Sequence, residues 1–301
     1  PCAEQVRFLK TGGEALAACI RLARHHTNRS HVLQIGYNGW INSLASNSSV
    51  LPGTKAVEFP PGIPPEIGGL HHAVPWNDPS AIEKAFNQYR NKVAAIVVAA
   101  DYAAMQAGTD FYPVLRSIAD QHDAVLIFDE IVTGFRIAMG GAQEYFSATP
   151  DLAVFAKGIA NGMPVSAYGG KREIMERLQD AIVSSTYGGE TLSLAAVKAS
   201  VTTYKELNVI DHLWKVGTRL RKGFNEIAAQ NHIPISAEGF PPCPALVPGS
   251  GAPTDIIDRL FRACFKNGLS IYSVLYVNFS HSEQDIDEAL TRLETSCKGL
   301  L

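Results

Sequence analysis

Ala124-Val-Leu-Ile-Phe128-Asp129-Glu130-Ile131-Val-Thr-Gly-Phe-Arg136 is the stretch on which the fold turns. Its first five residues are apolar without alternation, which is how a strand covered on both faces of a parallel sheet reads. The run stops on a carboxylate, Asp129. Further on, Pro150-Asp-Leu152-Ala-Val-Phe155-Ala-Lys157-Gly158 repeats the pattern, with an apolar run that stops near an amine. In open α/β sheets ligands sit beyond the carboxyl ends of the strands. An acid and an amine delivered to one edge of one sheet therefore point to a cofactor site. Either residue alone is ordinary: an Asp ending a strand commonly caps the next helix, and a Lys beside a Gly is commonly solvated.

Strands and helices alternate on both sides of this pair. Residues 6–9, 31–36 and 93–100 read as strands; residues 15–24, 78–91, 111–122 and 192–204 read as helices. That alternation predicts a doubly wound, mainly parallel α/β sheet. Between the first strand and first helix lies Thr11-Gly12-Gly13-Glu14-Ala15. The first amides of a helix lack internal partners, and glycines let an anion approach the backbone, so this junction is a candidate phosphate site. An ordinary strand-to-helix turn reads the same way. At the next strand end, Gly36-Tyr37-Asn38-Gly39 offers an aromatic that stacks on a flat ring or packs in the core. Residues 42–69 are polar and rich in proline and glycine, and predict a long loop of the functional or mobile kind.

Residues 1–205 are expected to form a large domain and 206–301 a small α+β one. The second opens with a helix over 209–230, followed by strands near 235 and 246 and helices over 254–267 and 282–297. A net charge of −3 supplies no basic field for nucleic acid. No apolar run approaches the roughly 20 residues of a membrane helix. The five cysteines are scattered without a C-x-x-C pair, which argues against a zinc site or a disulfide framework and fits a reducing cytoplasm. A dinucleotide-binding reading fails because no G-x-G-x-x-G follows the first strand.

A resemblance ties these features together. Phe128-Asp-Glu-Ile-Val-Thr-Gly-Phe-Arg136, Gly140-Gly-Ala-Gln-Glu-Tyr-Phe146, Thr149-Pro-Asp-Leu152, Lys157-Gly158 and Pro164-Val-Ser-Ala-Tyr-Gly-Gly170 follow one another in order. They resemble the class III aminotransferases, enzymes of fold type I that use pyridoxal 5'-phosphate (PLP), nearest the glutamate-1-semialdehyde aminotransferase branch. The likeness runs from Phe8 to about Leu290. It implies a mainly parallel sheet of seven-stranded type between helices, with a small C-terminal domain. It implies that Asp129 faces the pyridine nitrogen and that Lys157 holds the cofactor as a Schiff base. Gly12 and Gly13 would grip the phosphate, and Tyr37 and Ile131 would flank the ring. The resemblance alone makes the loop over residues 42–69 a lid over the site. Thr186 would donate to the phosphate of a neighbouring subunit, which implies a homodimer with shared sites.

The resemblance also marks departures. Gly13 stands where the family carries a hydroxyl residue, and Asn38 where it carries His. Ala99-Ala100 replaces Glu-Pro, with Asp101 two residues on, and Glu190-Thr191 replaces Asn-Pro. Arg136 is expected to pair with Glu130. The relatives carry a longer segment before Thr11, so the chain is read as a fragment or a shortened member. The expected activity is transfer of an amino group from a donor to a carbonyl acceptor, such as a keto-sugar or a semialdehyde. The alternatives are the glutamate-1-semialdehyde 2,1-aminomutase reaction and a catalytically weak interaction protein of this fold.

Overall fold

The structure is a computed structural model that describes residues 1–41, 61–298 and 300. Most of the stretch read as a lid, residues 42–60, lies outside the described residues; within the remainder, Pro65–Gly68 makes a single helical turn. The described chain divides into two compact units. One comprises Pro1–Ala100 and Ala107–Glu206, the other Asp101–Gln106 and Leu207–Leu301.

The larger unit is built on a seven-stranded sheet. Its strands are β1 (Gln5–Leu9), β2 (His31–Ile35), β3 (His71–Ala73), β4 (Val93–Ala99), β5 (Val125–Asp129), β6 (Leu152–Phe155) and β7 (Ser166–Gly170). Their spatial order is β1-β7-β6-β5-β4-β2-β3. Strands β3, β2, β4, β5 and β6 pair in parallel, and β7 runs antiparallel to both β6 and β1. The predicted parallel sheet is therefore correct for six strands, with one reversed strand set inside it.

The strands are apolar throughout because helices cover both faces. Side chains alternate faces along a strand. Ala95 and Val97 of β4, Val125 and Ile127 of β5, and Leu152 and Val154 of β6 form one core with the Gly12–Thr27 helix, which buries Leu16, Cys19, Ile20, Leu22 and Ala23 there. The intervening residues face the other way, where Phe128 meets Tyr112 of the Gly108–Gln121 helix edge to face. Each large apolar side chain so buried contributes about 1.5–3 kcal/mol relative to exposure. The same alternation places Asp129, two residues beyond Ile127, on the face of the Gly12–Thr27 helix. That helix starts where it does because of a capping box. The Thr11 hydroxyl accepts from the Glu14 amide, and the Glu14 carboxylate accepts from the Thr11 amide.

The smaller unit packs β8 (Ile235–Glu238) and β9 (Ala245–Pro248), an antiparallel pair, with the Val209–Gln230, Ile256–Lys266 and Glu283–Cys297 helices. Phe224, Ile235, Leu246, Leu260, Leu275 and Leu293 form its core. The last helix opens on a second capping box, between Ser282 and Asp285. All five cysteines are buried and unbridged. Among the described residues no helix is long and apolar enough to cross a membrane.

Candidate active site

Asp129 is the last residue of β5, in register with Ala99 of β4 on one side and Val154 of β6 on the other. The strand stops there because Glu130 turns away. Glu130 is fully buried and closes the loop that follows: it accepts from the Thr133 hydroxyl and from the amides of Ala142 at 2.7 Å and Gln143 at 2.9 Å. Gly141 sits beneath it at φ 77°, where a side chain would collide with the carboxylate. Glu130 is thus spent on bracing the loop, which corrects the expected pairing with Arg136. Burial holds its carboxyl up at about 7 despite those hydrogen bonds.

Asp129 has far fewer partners. One carboxylate oxygen accepts from the Ile131 amide at 3.1 Å. Burial pushes its pKa up to about 6; the Ile131 amide, the Lys157 ammonium and the Asn38 side chain oppose the rise. The residue is half-buried by area, so water at its open side moderates the shift. Lys157 follows β6 by two residues and is held at φ 47°, in the left-handed region that side-chain-bearing residues rarely occupy. The pKa of the Lys157 amine is lowered, first by burial of its head, then by the Arg136 charge, with Asp129 pulling the other way. The residue as a whole keeps an exposed surface.

Gly12 meets this pair from the helix side. A Cβ built on it would lie 2.4 Å from Cδ1 of Ile131 and 3.6 Å from Cβ of Ala156, the neighbour of Lys157. A Cβ at Gly13 would lie 2.8 Å from Cδ1 of Ile41, the tip of a flexible side chain, so nothing in the structure explains a glycine in place of a hydroxyl residue. The Ser166 hydroxyl, at the start of β7, donates to the Thr11 carbonyl at 2.8 Å and ties the junction to the reversed strand. From β2, Gly36 turns at φ 75° against the Ala99 backbone. Tyr37 is then exposed and Asn38 buried. Thr186 is exposed; Gly188, two residues later, packs on the Phe8 carbonyl, and Glu190 pairs with Lys10 at 2.7 Å. Asp101 accepts from the amides of Ala103 and Ala104, both at 2.9 Å, so it caps its own turn.

The structure therefore assembles Asp129, Lys157, Ile131 and Gly12 at the carboxyl ends of β5 and β6. Gly13 adjoins them through the same helix start. Tyr37 leaves the end of β2 two strands away, and Thr186 lies on the surface. Sequence reasoning missed two contributors. Glu130 looked like a salt-bridge partner and is a brace. Asn38 was marked only as standing where the resembling family carries His; it is 2% exposed, and neither its Nδ2 nor its Oδ1 completes a hydrogen bond.

A mainly parallel seven-stranded sheet that brings an acid and a lysine to one edge is the frame of the fold-type-I PLP enzymes. The fold matches that of the PLP internal aldimine form of the FumI protein of Sphingopyxis sp. MTA144, with a TM-score of 0.87 at 22% identity over 98% of this chain and 71% of that one. It also matches an omega-transaminase from Sphaerobacter thermophilus, with a TM-score of 0.85 at 22% identity over 100% of this chain and 75% of that one. At such identity the likeness speaks for the fold alone. The sequence goes further, since residues 1–238 match the family Aminotransferase class-III. The chain belongs to the class-III aminotransferases and is a PLP-dependent enzyme of aminotransferase or aminomutase type. It is 33% identical to the glutamate-1-semialdehyde 2,1-aminomutase of Sulfurihydrogenibium azorense over 99% of this chain and 75% of that protein. It is 32% identical to the enzyme of the same name from Persephonella marina over 100% of this chain and 76% of that protein.

Proposed function

We propose that the chain is an aminomutase that moves an amino group between adjacent carbons of one substrate, glutamate 1-semialdehyde or a close analogue. The observation that carries the reading is the meeting of Asp129, Lys157, Ile131 and Gly12 at one sheet edge, in a chain similar along its whole length to curated aminomutases. The residues present fit PLP. A buried carboxylate with one amide partner suits a ring nitrogen, an amine of lowered pKa suits attack on a carbonyl, and a helix start with two glycines suits a phosphate. Asn38, with both polar atoms unpaired, leaves hydrogen-bonding capacity beside that carboxylate.

When bound, PLP supplies an electron sink for the bond breaking at the substrate carbon. Asp129 presents negative charge to the ring nitrogen and keeps it protonated. Lys157, once its amine is free, takes a proton from one substrate carbon and returns it at the other; a depressed pKa makes it a competent base near neutrality. The amides of Gly12 and Gly13 bind the phosphate at the helix start, where the dipole favours an anion. Ile131 and Tyr37 would flank the ring when the cofactor is bound. Thr186, exposed beside the exposed Tyr187 and Leu192, donates to the phosphate of a second copy, so the working form is a homodimer.

The deciding experiment supplies glutamate 1-semialdehyde to the PLP-loaded protein with no amino donor. The expected result is its isomer with the amino group on carbon 1, and absence of that isomer rejects the reading. A second reading is transfer to a separate carbonyl acceptor, such as a keto-sugar. It rests on β4, which ends in Ala99 and Ala100 without a carboxylate. Turnover that requires an added amino donor selects it.

A further inference from the structure

Asn38 is only 2% exposed, and neither polar atom of its side chain has a hydrogen-bond partner among the described residues. A buried amide left without partners destabilises the fold, so each such group calls for an explanation. Its position is fixed from the backbone outward. Gly36 turns the chain against Ala99, whose register partner is Asp129, and Asn38 enters two residues later. Its carboxamide stands near enough to the Asp129 carboxylate to favour the ionised form, without completing the hydrogen bond.

We propose that Asn38 is a positioning residue for Asp129, its Nδ2 donating to the carboxylate and fixing that group's charge and direction towards the bound ring. The inference rests on the PLP reading for its purpose, but the contact itself does not. Among the described residues, the other ionisable groups that bear on Asp129 are its chain neighbour and three groups from other elements. Lys157 follows β6, Glu130 is the next residue in the chain, Cys19 lies on the Gly12–Thr27 helix, and Tyr112 on the Gly108–Gln121 helix. Lys157 is the cation of the set and favours the carboxylate; Glu130, Cys19 and Tyr112 disfavour it when they are charged. Asn38 is the neutral donor among them. It acts at every pH, and it still holds the carboxylate when the Lys157 amine loses its charge. A histidine there would carry its own titration into the site. An amide does not.

The test titrates Asp129 in the PLP-free protein by carboxyl-carbon NMR with labelled aspartate, its signal assigned by loss in Asp129→Asn. Asn38→Leu removes the donor at similar volume. Asn38→Asp replaces it with a charge and keeps the shape. The expected result is an Asp129 midpoint raised by about one unit in Asn38→Leu and by more in Asn38→Asp, with PLP affinity lowered about tenfold. A midpoint that stays in place in either folded variant overturns the proposal. The two readings separate cleanly. A raised midpoint in a protein that never binds PLP keeps the Asn38–Asp129 contact and rejects the cofactor reading. An unmoved midpoint in a protein that binds PLP normally does the reverse.

Discussion

Asp129 and Asp151 belong to neighbouring parallel strands and lie at opposite ends of the sheet. Asp151, just before β6, is satisfied on every side. It accepts from the Leu126 amide at 2.7 Å and Arg116 at 2.9 Å, and Lys171 lies 2.6 Å away. Its pKa is lowered, the hydrogen bonds and the cations outweighing burial. Asp129 has one amide and a cation at longer range, and its pKa is raised to about 6. The same residue type in the same sheet is therefore stapled at one end and left under-bonded at the other. A group whose bonding capacity is used up holds structure together. A group whose capacity is left open is available to a ligand.

The comparison can be broken by substitution, beginning with the largest effect. Lys157→Ala removes the amine that faces the under-bonded end. Turnover by the PLP-loaded protein is expected to fall about 10⁴-fold, and borohydride is expected to fix no cofactor at position 157. If activity survives, the open end is not the catalytic one. Asp129→Asn comes next. It is expected to cost about 10²-fold or more in turnover while leaving urea stability equal to or above wild type, since a poorly paired buried charge is removed. Asp151→Ala is the mirror image. It leaves the Leu126 amide without its acceptor and Arg116 with Asp120 alone, and is expected to cost about 3 kcal/mol of stability in the same titration. A kinetic loss without instability there would erase the contrast.

The finest test is pH. Folded Asp129 keeps its proton to about pH 6, whereas an unfolded Asp releases it near 4. Between those values the folded state binds more protons, so the contribution of Asp129 to stability falls as pH rises from about 4 to about 6. Asp151 has its pKa depressed by folding, so its contribution is full above about 4 and is lost as pH drops below. Urea stability measured for wild type and for each Asn variant from about pH 3 to 7 should give two differences that slope in opposite directions. Parallel slopes would place both carboxylates in the same class.

Much of this was legible in the residues. Continuous apolar runs marked the strands because helices lie on both faces of the sheet, and the order of motifs placed Asp129 and Lys157 on one edge. The Val209–Gln230 helix was read to the residue, since its amphipathic period is long and unbroken. The reversal of β7 was not legible: a strand buried on both faces carries the same pattern whichever way it runs. Nor was the bracing by Glu130, which depends on amides at Ala142 and Gln143 that only the folded loop brings close. Asn38 stood out as a departure from the resembling family, but its burial was not legible for a related reason. Gly-Tyr-Asn-Gly is turn chemistry by composition, and only its burial separates a solvated turn from an amide with work left to do.

The reversed strand has a consequence for how the two sides of the pocket rim are held in register. Ser166 opens β7 opposite Leu9, at the same rim where β6 releases Lys157, and its hydroxyl contact to the Thr11 carbonyl extends the β1–β7 pairing to the helix start. A slip of one residue in β7 would invert its side chains and unhook that latch. The start of the Gly12–Thr27 helix and the segment carrying Lys157 are thus tied to one support, the strand that travels against the rest.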